Sequence, residues 1–260
     1  MEPTTHRQVE NATAPSAGGF RDPDGESSHL FGQPPAMDRS TFDRRQAEFW
    51  GTRTNLRAFD HPVVERFARQ RVEWLAKSLG GPPPRTALDV GCGDGFGQAY
   101  MQRICPVIFG CDASPEMLAS NPLPRSRLCR ADAYQLPFAD QSFDLVYCWE
   151  LLHHIGEPER VVREMARTAR DRVLVCEPNA WNPAMALFST LVPEERGALR
   201  FTPLSLRGIM KRAGLRDIRV CAVGTFTPNR TPDRLSQLLH RLPYRVPWIG
   251  MYTIGIGRRG

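Results

Sequence analysis

The chain has 260 residues, 41% of them hydrophobic, with seven cysteines and a net charge of +6. That length supports one sizeable domain with appendages rather than two full domains. No two cysteines form CxxC and no histidine stands at zinc-finger distance from one, so the spacing indicates neither a disulfide framework nor a metal site.

The first twenty residues lack the basic start and apolar run of a signal peptide. The longest uncharged apolar stretch, 246–257, falls short of the roughly 18 residues a spanning helix needs. With Cys111, Cys148 and Cys176 inside apolar runs, the expectation is a cytoplasmic chain with buried, reduced thiols. Residues 200–260 hold eleven arginines and one lysine against Asp217 and Asp233, which is +10, whereas residues 1–40 sum to −3. Such a tail suits anionic lipid, phosphorylated substrates or nucleic acid, or is simply a solvated arginine-rich surface.

In chain order, residues 1–38 are rich in Pro, Gly, Ser, Thr and acids and read as a disordered tail. Residues 39–81 read as helical: Phe42, Phe49 and Trp50 are spaced aromatics, and Val63, Val64, Phe67, Val72, Leu75 and Leu79 recur near helical spacing before Gly80 and Gly81 stop the run. From 82 onward strands alternate with helices. Apolar runs at 86–90, 107–111, 127–130, 143–148 and 172–176 read as strands, and 158–169 as a helix. A helix at 202–214 and strands at 216–223 and 251–259 complete the chain. This alternation predicts a doubly wound, mostly parallel α/β sheet. Segments 179–201 and 224–250 exceed ordinary connections and are expected to cap the site.

The chemistry centres on ALDVGCGDGFG at 87–97. Gly91, Gly93 and Gly95 follow a strand and precede a helix, the geometry of a nucleotide-type site. A dinucleotide GxGxxG fails because Phe96 holds its last position, and no GxxxxGK[ST] is present. Asp89 and Asp94 would repel a pyrophosphate but suit a ligand carrying an ammonium and a sulfonium. Asp112, 21 residues after Gly91, ends the second strand, where an acid can accept from ribose hydroxyls. Asp132 ends the third strand between Ala131 and Ala133, where a carboxylate can accept from an adenine amino group.

These segments, with VIFGCDASPEML at 107–118 and RADAYQLPFADQSFDLVYCWELLHHI at 130–155, resemble the class I S-adenosylmethionine-dependent methyltransferase family. The resemblance implies a Rossmann-like, seven-stranded sheet with its last strand antiparallel, and S-adenosylmethionine as cofactor. It also implies that Asp89 and the backbone of 91–95, Cys92 included, hold the methionine part. Asp112 and Ala113 would hold the ribose, Asp132 and Ala133 the adenine, and a carbonyl near Cys148 the ammonium.

Candidates for a general base are Glu150, His153, His154 and Glu177, with Glu177 in CEPNAWNP expected to point toward the acceptor. Trp50, Glu150, Asn179 and Trp181 are candidates to line the acceptor pocket, and the 39–81 helices either close over it as a lid or simply pack on the sheet. Leu235, Leu238, Leu239 and Leu242 form an apolar face among basic residues, which either meets a membrane surface or covers the protein. The expected partner is a small-molecule acceptor, lipid-like or glycan- or polyprenyl-linked. Peripheral membrane contact through the basic C-terminal region is a further expectation. Nucleic acid is disfavoured, because the position after the fourth strand reads YCWELLHH rather than the [ND]PP[YF] of amino-nitrogen base methylation. RNA methylation and cofactor binding without turnover are the alternatives.

Overall fold

The structure is a computed structural model that describes Gln46 and residues 57–260. Seven strands form one sheet in the order β3-β2-β1-β4-β5-β7-β6. They are β1 (Thr86–Val90), β2 (Val107–Asp112), β3 (Leu128–Arg130), β4 (Phe143–Trp149), β5 (Ala169–Pro178), β6 (Arg216–Val223) and β7 (Tyr252–Arg258). The first five pair in parallel, while β7 lies antiparallel between β5 and β6. This is the Rossmann-like sheet expected above, with the last strand reversed.

Strand alternation sends successive residues to opposite faces, and each face has its own core. Ala87, Ile108, Leu145, Tyr147, Leu174 and Ile254 face one side, with α1 (Pro62–Ser78) and α2 (Phe96–Met101) against them. Leu88, Phe109, Val146, Cys148, Val173 and Val175 face the other, under α4 (Pro158–Thr168) and α6 (Pro203–Arg212). Helix α1 starts where His61 Nδ1 accepts the Val63 N–H, with Pro62 at the first position and Glu65 in the first turn. It buries Val63, Val64, Phe67, Val72 and Leu75 in the core.

The short α3 (Pro115–Ser120) follows β2, with Ser114 as its N-cap. The two long connections contain structure of their own. Segment 179–201 holds α5 (Pro183–Leu191) and a 3₁₀ turn, Pro193–Arg200, and segment 224–250 holds α7 (Asp233–Leu239). Among the described residues, no helix is long and apolar enough to cross a membrane. Strand order reverses between β1 and its two neighbours, β2 and β4, so the crevice at their carboxyl ends is where a ligand should lie.

At the opposite end of the sheet Asp144 joins three segments. Its Oδ2 accepts from the Arg85 and Thr86 N–H groups at 2.9 and 3.1 Å, and its Oδ1 meets Arg170 at 2.8 Å. Partial burial pushes this carboxyl up, but the two N–H groups and Arg170 outweigh it, so its pKa lies below the ordinary value. A depressed pKa contributes stability above the unfolded-state value, lost as pH falls through the folded-state value. Replacement Asp144→Asn should therefore cost about 1–2 kcal/mol at neutral pH. Urea melts across a pH series should show the difference from the unmutated chain shrinking below about pH 4.

Candidate active site

A cleft of about 570 Å³ opens at the carboxyl ends of β1 to β4, within the range of small-molecule sites. Its floor is the glycine loop. Both Gly91 N and Cys92 N donate to the Cys111 carbonyl, at 2.8 and 3.0 Å, folding the loop back over β2. Gly93 N then donates to Asp112 Oδ2 at 2.9 Å, while Asp112 Oδ1 accepts from Ser114 N at 2.9 Å. Gly93 has φ +52°, and a Cβ there would stand 3.1 Å from Met117 Cε at the cleft wall; at Gly91, with φ +71°, it would strike Leu151 at 2.6 Å. Gly95, at φ 87°, caps α2 and is not part of the cleft wall.

The walls gather Asp89, Cys92, Asp112, Ala113, Asp132 and Ala133, all from the expected set. Asp132 Oδ1 accepts from Tyr134 N at 2.9 Å, which orients it at the end of β3. Burial pushes the Asp89 carboxyl well above the usual range, and the Asp112 charge adds to that. Burial also raises Asp112, opposed by the N–H groups of Ser114, Gly93 and Ala113. A cationic ligand beside these acids would relieve both.

Glu150 follows β4 with φ 58°, an unusual conformation for a residue with a side chain, and its carboxylate reaches the cleft. Arg71 Nη1 holds Glu150 Oε1 at 3.2 Å. Arg71 is itself fully buried between the rings of Phe67, Trp149 and Tyr252, its guanidinium carbon 4.4, 4.8 and 4.4 Å from their centroids. Its Nε and Nη2 have no hydrogen-bond partner among the described residues, so the aromatic faces supply the stabilisation. Burial raises the Glu150 carboxyl above its ordinary value, with Arg71 and His153 pulling the other way.

Several expected residues stand elsewhere. Glu177 does not reach the acceptor side: it is fully buried, accepting from Leu152 N at 2.7 Å and His153 N at 3.2 Å, and pairing with His153 Nδ1 at 2.7 Å. Its carboxylate is drawn inward by the N–H groups of the Leu152–His154 turn. His153 is buried with it, whereas the neighbouring His154 forms part of the cleft wall. Burial alone would lower the His153 pKa, but Glu177 and Glu195 raise it to about 9.

Asn179 is likewise buried, donating to the Trp248 and Gly250 carbonyls at 2.7 and 2.8 Å and so pinning the 224–250 segment. Trp181 packs on Trp248 at 5.5 Å, away from the cleft wall. The Cys148 side chain is buried in the core and does not line the cleft, whereas the next residue, Trp149, does. Trp50 lies outside the described residues. Met117, Tyr134 and Leu151, which stand inside the quoted motifs without an expected role, also line the cleft, as does Arg57 from the expected lid segment. Arg57 Nη1 bonds the Pro228 and Thr231 carbonyls at 2.7 and 3.0 Å, tying the 224–250 cap to the segment before α1.

Residues 88–176, the stretch from β1 to β5, match the family model for a methyltransferase domain. That stretch carries a methyltransferase domain, and the fold is that of class I S-adenosylmethionine-dependent methyltransferases. It is 31% identical over 120 residues to a demethylmenaquinone methyltransferase of Corynebacterium kroppenstedtii, covering 45% of this chain and 52% of that one. To a phosphatidylethanolamine N-methyltransferase of Cereibacter sphaeroides it is 35% identical over 121 residues, covering 43% and 57%. The chain thus spans about half the length of these curated relatives. A crystal structure from Thermotoga maritima, described as a possible histamine N-methyltransferase, superposes with a TM-score of 0.61 at 19% identity, covering 84% of this chain and 98% of that one. At that identity the likeness is one of fold.

Glu177 is thus an anchor for the turn that carries His153 and His154. Truncation to alanine would orphan two backbone N–H groups and an imidazole at once. Thermal or urea unfolding of Glu177→Ala should show a loss of about 3–5 kcal/mol, and a loss under 1 kcal/mol would mean the turn is held otherwise.

Proposed function

We propose that this protein transfers a methyl group from S-adenosylmethionine to a small-molecule acceptor with a long apolar part. The observation that carries the cofactor half is the convergence of Asp89, Asp112 and Asp132 around a cleft whose floor would be filled by a Cβ at Gly91 or Gly93. An acid-walled, phosphate-averse cleft fits a ligand with an ammonium, a sulfonium and a ribose. In this reading Asp112 holds the ribose hydroxyls, Asp132 and Ala133 flank the adenine, and Asp89 with the loop backbone holds the methionine end.

When bound, the cofactor supplies a methyl group made electrophilic by its sulfonium. The chain's work is then alignment and exclusion of water. Trp149, Phe96 and Leu151 wall the cleft with apolar surface. Glu150, fixed by Arg71 and with a raised pKa, is the wall carboxylate placed to take the proton of an acceptor hydroxyl or amine.

The acceptor half rests on the cap. Pro228 and Asn229 belong to the cleft wall, and the surface beyond them is apolar: Leu187 is 62% exposed, Leu191 70%, Leu238 61% and Trp248 64%. Arg230 lies over the Phe188 ring at 4.3 Å, joining α5 to the segment before α7. Exposed leucines with arginines among them suit an apolar-tailed acceptor presented at a lipid surface. The relatives named for demethylmenaquinone and phosphatidylethanolamine, both apolar-tailed molecules, support this class.

Calorimetry should give micromolar-range binding of S-adenosylmethionine, lost in Asp112→Ala. Glu150→Gln should retain that binding and lower turnover by about 10²-fold or more. With methyl-labelled cofactor, label should enter the organic-solvent extract of a membrane fraction. A folded chain that binds no cofactor overturns the cofactor half, and label confined to water-soluble product overturns the acceptor half.

A further inference from the structure

Beside the cleft, the structure brings together three residues that the methyl-transfer reading leaves without a task. One ligand atom each from His153, His154 and Glu195 lies within 4.8 Å of the others. The two imidazole centroids lie 3.8 Å apart, with the rings tilted 47° to each other. His153 Nδ1 faces Glu177 Oε2 at 2.7 Å, and His154 Nδ1 faces Gln46 Oε1 at 2.8 Å. The Gln46 amide is oriented independently, because its Nε2 donates to the Glu194 carbonyl at 2.9 Å. Both Nδ1 atoms therefore meet oxygen acceptors, which in the neutral rings puts the proton on Nδ1 and the lone pair on Nε2. Histidines that ligate metals are held in just this way, by a carboxylate or amide oxygen behind the ring.

His153 Nε2 lies 3.3 Å from Glu195 Oε2. Two ligand atoms about 2.0–2.1 Å from one tetrahedral ion stand roughly 3.3 Å apart, so this edge of the polyhedron is already formed. The third ligand atom, from His154 at the cleft wall, stands within 4.8 Å of these two. Glu195 is delivered by the Pro193–Arg200 turn, which closes directly on the histidines. A Cβ at Gly197 would stand 1.7 Å from the His153 carbonyl oxygen, so the approach requires glycine. Arg200 clamps the same contact, donating to the Ile155 and Gly156 carbonyls at 2.6 and 3.2 Å. The turn lies outside the matched methyltransferase region.

We propose that His153, His154 and Glu195 bind one divalent first-row transition ion of the zinc class, Glu177 and Gln46 orienting the two rings. Two imidazoles and one carboxylate favour such an ion over magnesium or calcium, which take oxygen ligands. His154 is the member of the set that also lines the cleft.

The test uses the full chain, stripped with a chelator and titrated with Co²⁺ and Zn²⁺. One equivalent should bind, Co²⁺ giving d–d absorption of nitrogen and oxygen ligation without a thiolate charge-transfer band. Glu195→Gln and His154→Gln should each weaken Zn²⁺ binding at least ten-fold. Binding of less than one equivalent, a thiolate band from the seven cysteines, or affinities unchanged in both folded variants overturns the site. The cobalt spectrum of the unmutated chain decides the matter even if the variants do not fold.

Discussion

The cleft hangs on one carbonyl. Cys111 O accepts the N–H groups of both Gly91 and Cys92, and that bifurcated hold turns the chain back across the end of β2. Once the turn is made, Gly93 must present its N–H to Asp112, and the loop and the second-strand acid become one unit. The parallel register Asp89↔Gly110 and Asp112↔Arg130 then places the ends of β1, β2 and β3 side by side. Each acid stands two residues further along than the one on the strand before, so the three carboxylates line one cleft from successive strands, and burial raises the pKa values of Asp89 and Asp112.

The two halves of the cleft have different origins. Its cofactor face comes from β1 to β4 and lies within the region matched by the methyltransferase model. Its other face is drawn from Arg57, Val64, Pro228 and Asn229, outside that region. Arg57 and Asn179 fasten the 224–250 cap in place through backbone carbonyls rather than through its side chains. Side chains of the cap also take part: Asp233 and Ser236 meet Arg66, and Phe226 and Tyr244 are buried in the core.

Legibility in the sequence followed the range of the interactions. The seven strands, the glycine loop and the strand-end acids were readable because each depends on local pattern: apolar alternation, positive φ, and an acid at the end of a run. Glu177 was not, since its side-chain direction is set by N–H groups of residues 24 and 25 positions away. The meeting of His153 with Glu195 depends on the absence of a side chain at Gly197, which no spacing rule encodes. Cys148 and Trp149 were separable in principle, because adjacent strand residues face opposite sides.

The basic tail also changed meaning in three dimensions. Arg200, Arg207 and Arg219 are spent on backbone carbonyls, and Arg212 and Arg258 pair with Glu159 and Asp171. Much of that charge therefore fastens the domain together. The most direct measurement on the cleft is a crystal structure of the full chain with S-adenosylhomocysteine. Its ribose should hydrogen-bond Asp112, its adenine lie between Asp132 and Ala133, and its amino-acid end rest on the loop at Gly91 and Gly93. Density for the ligand elsewhere, or none in the cleft at saturating ligand, would contradict the assignment.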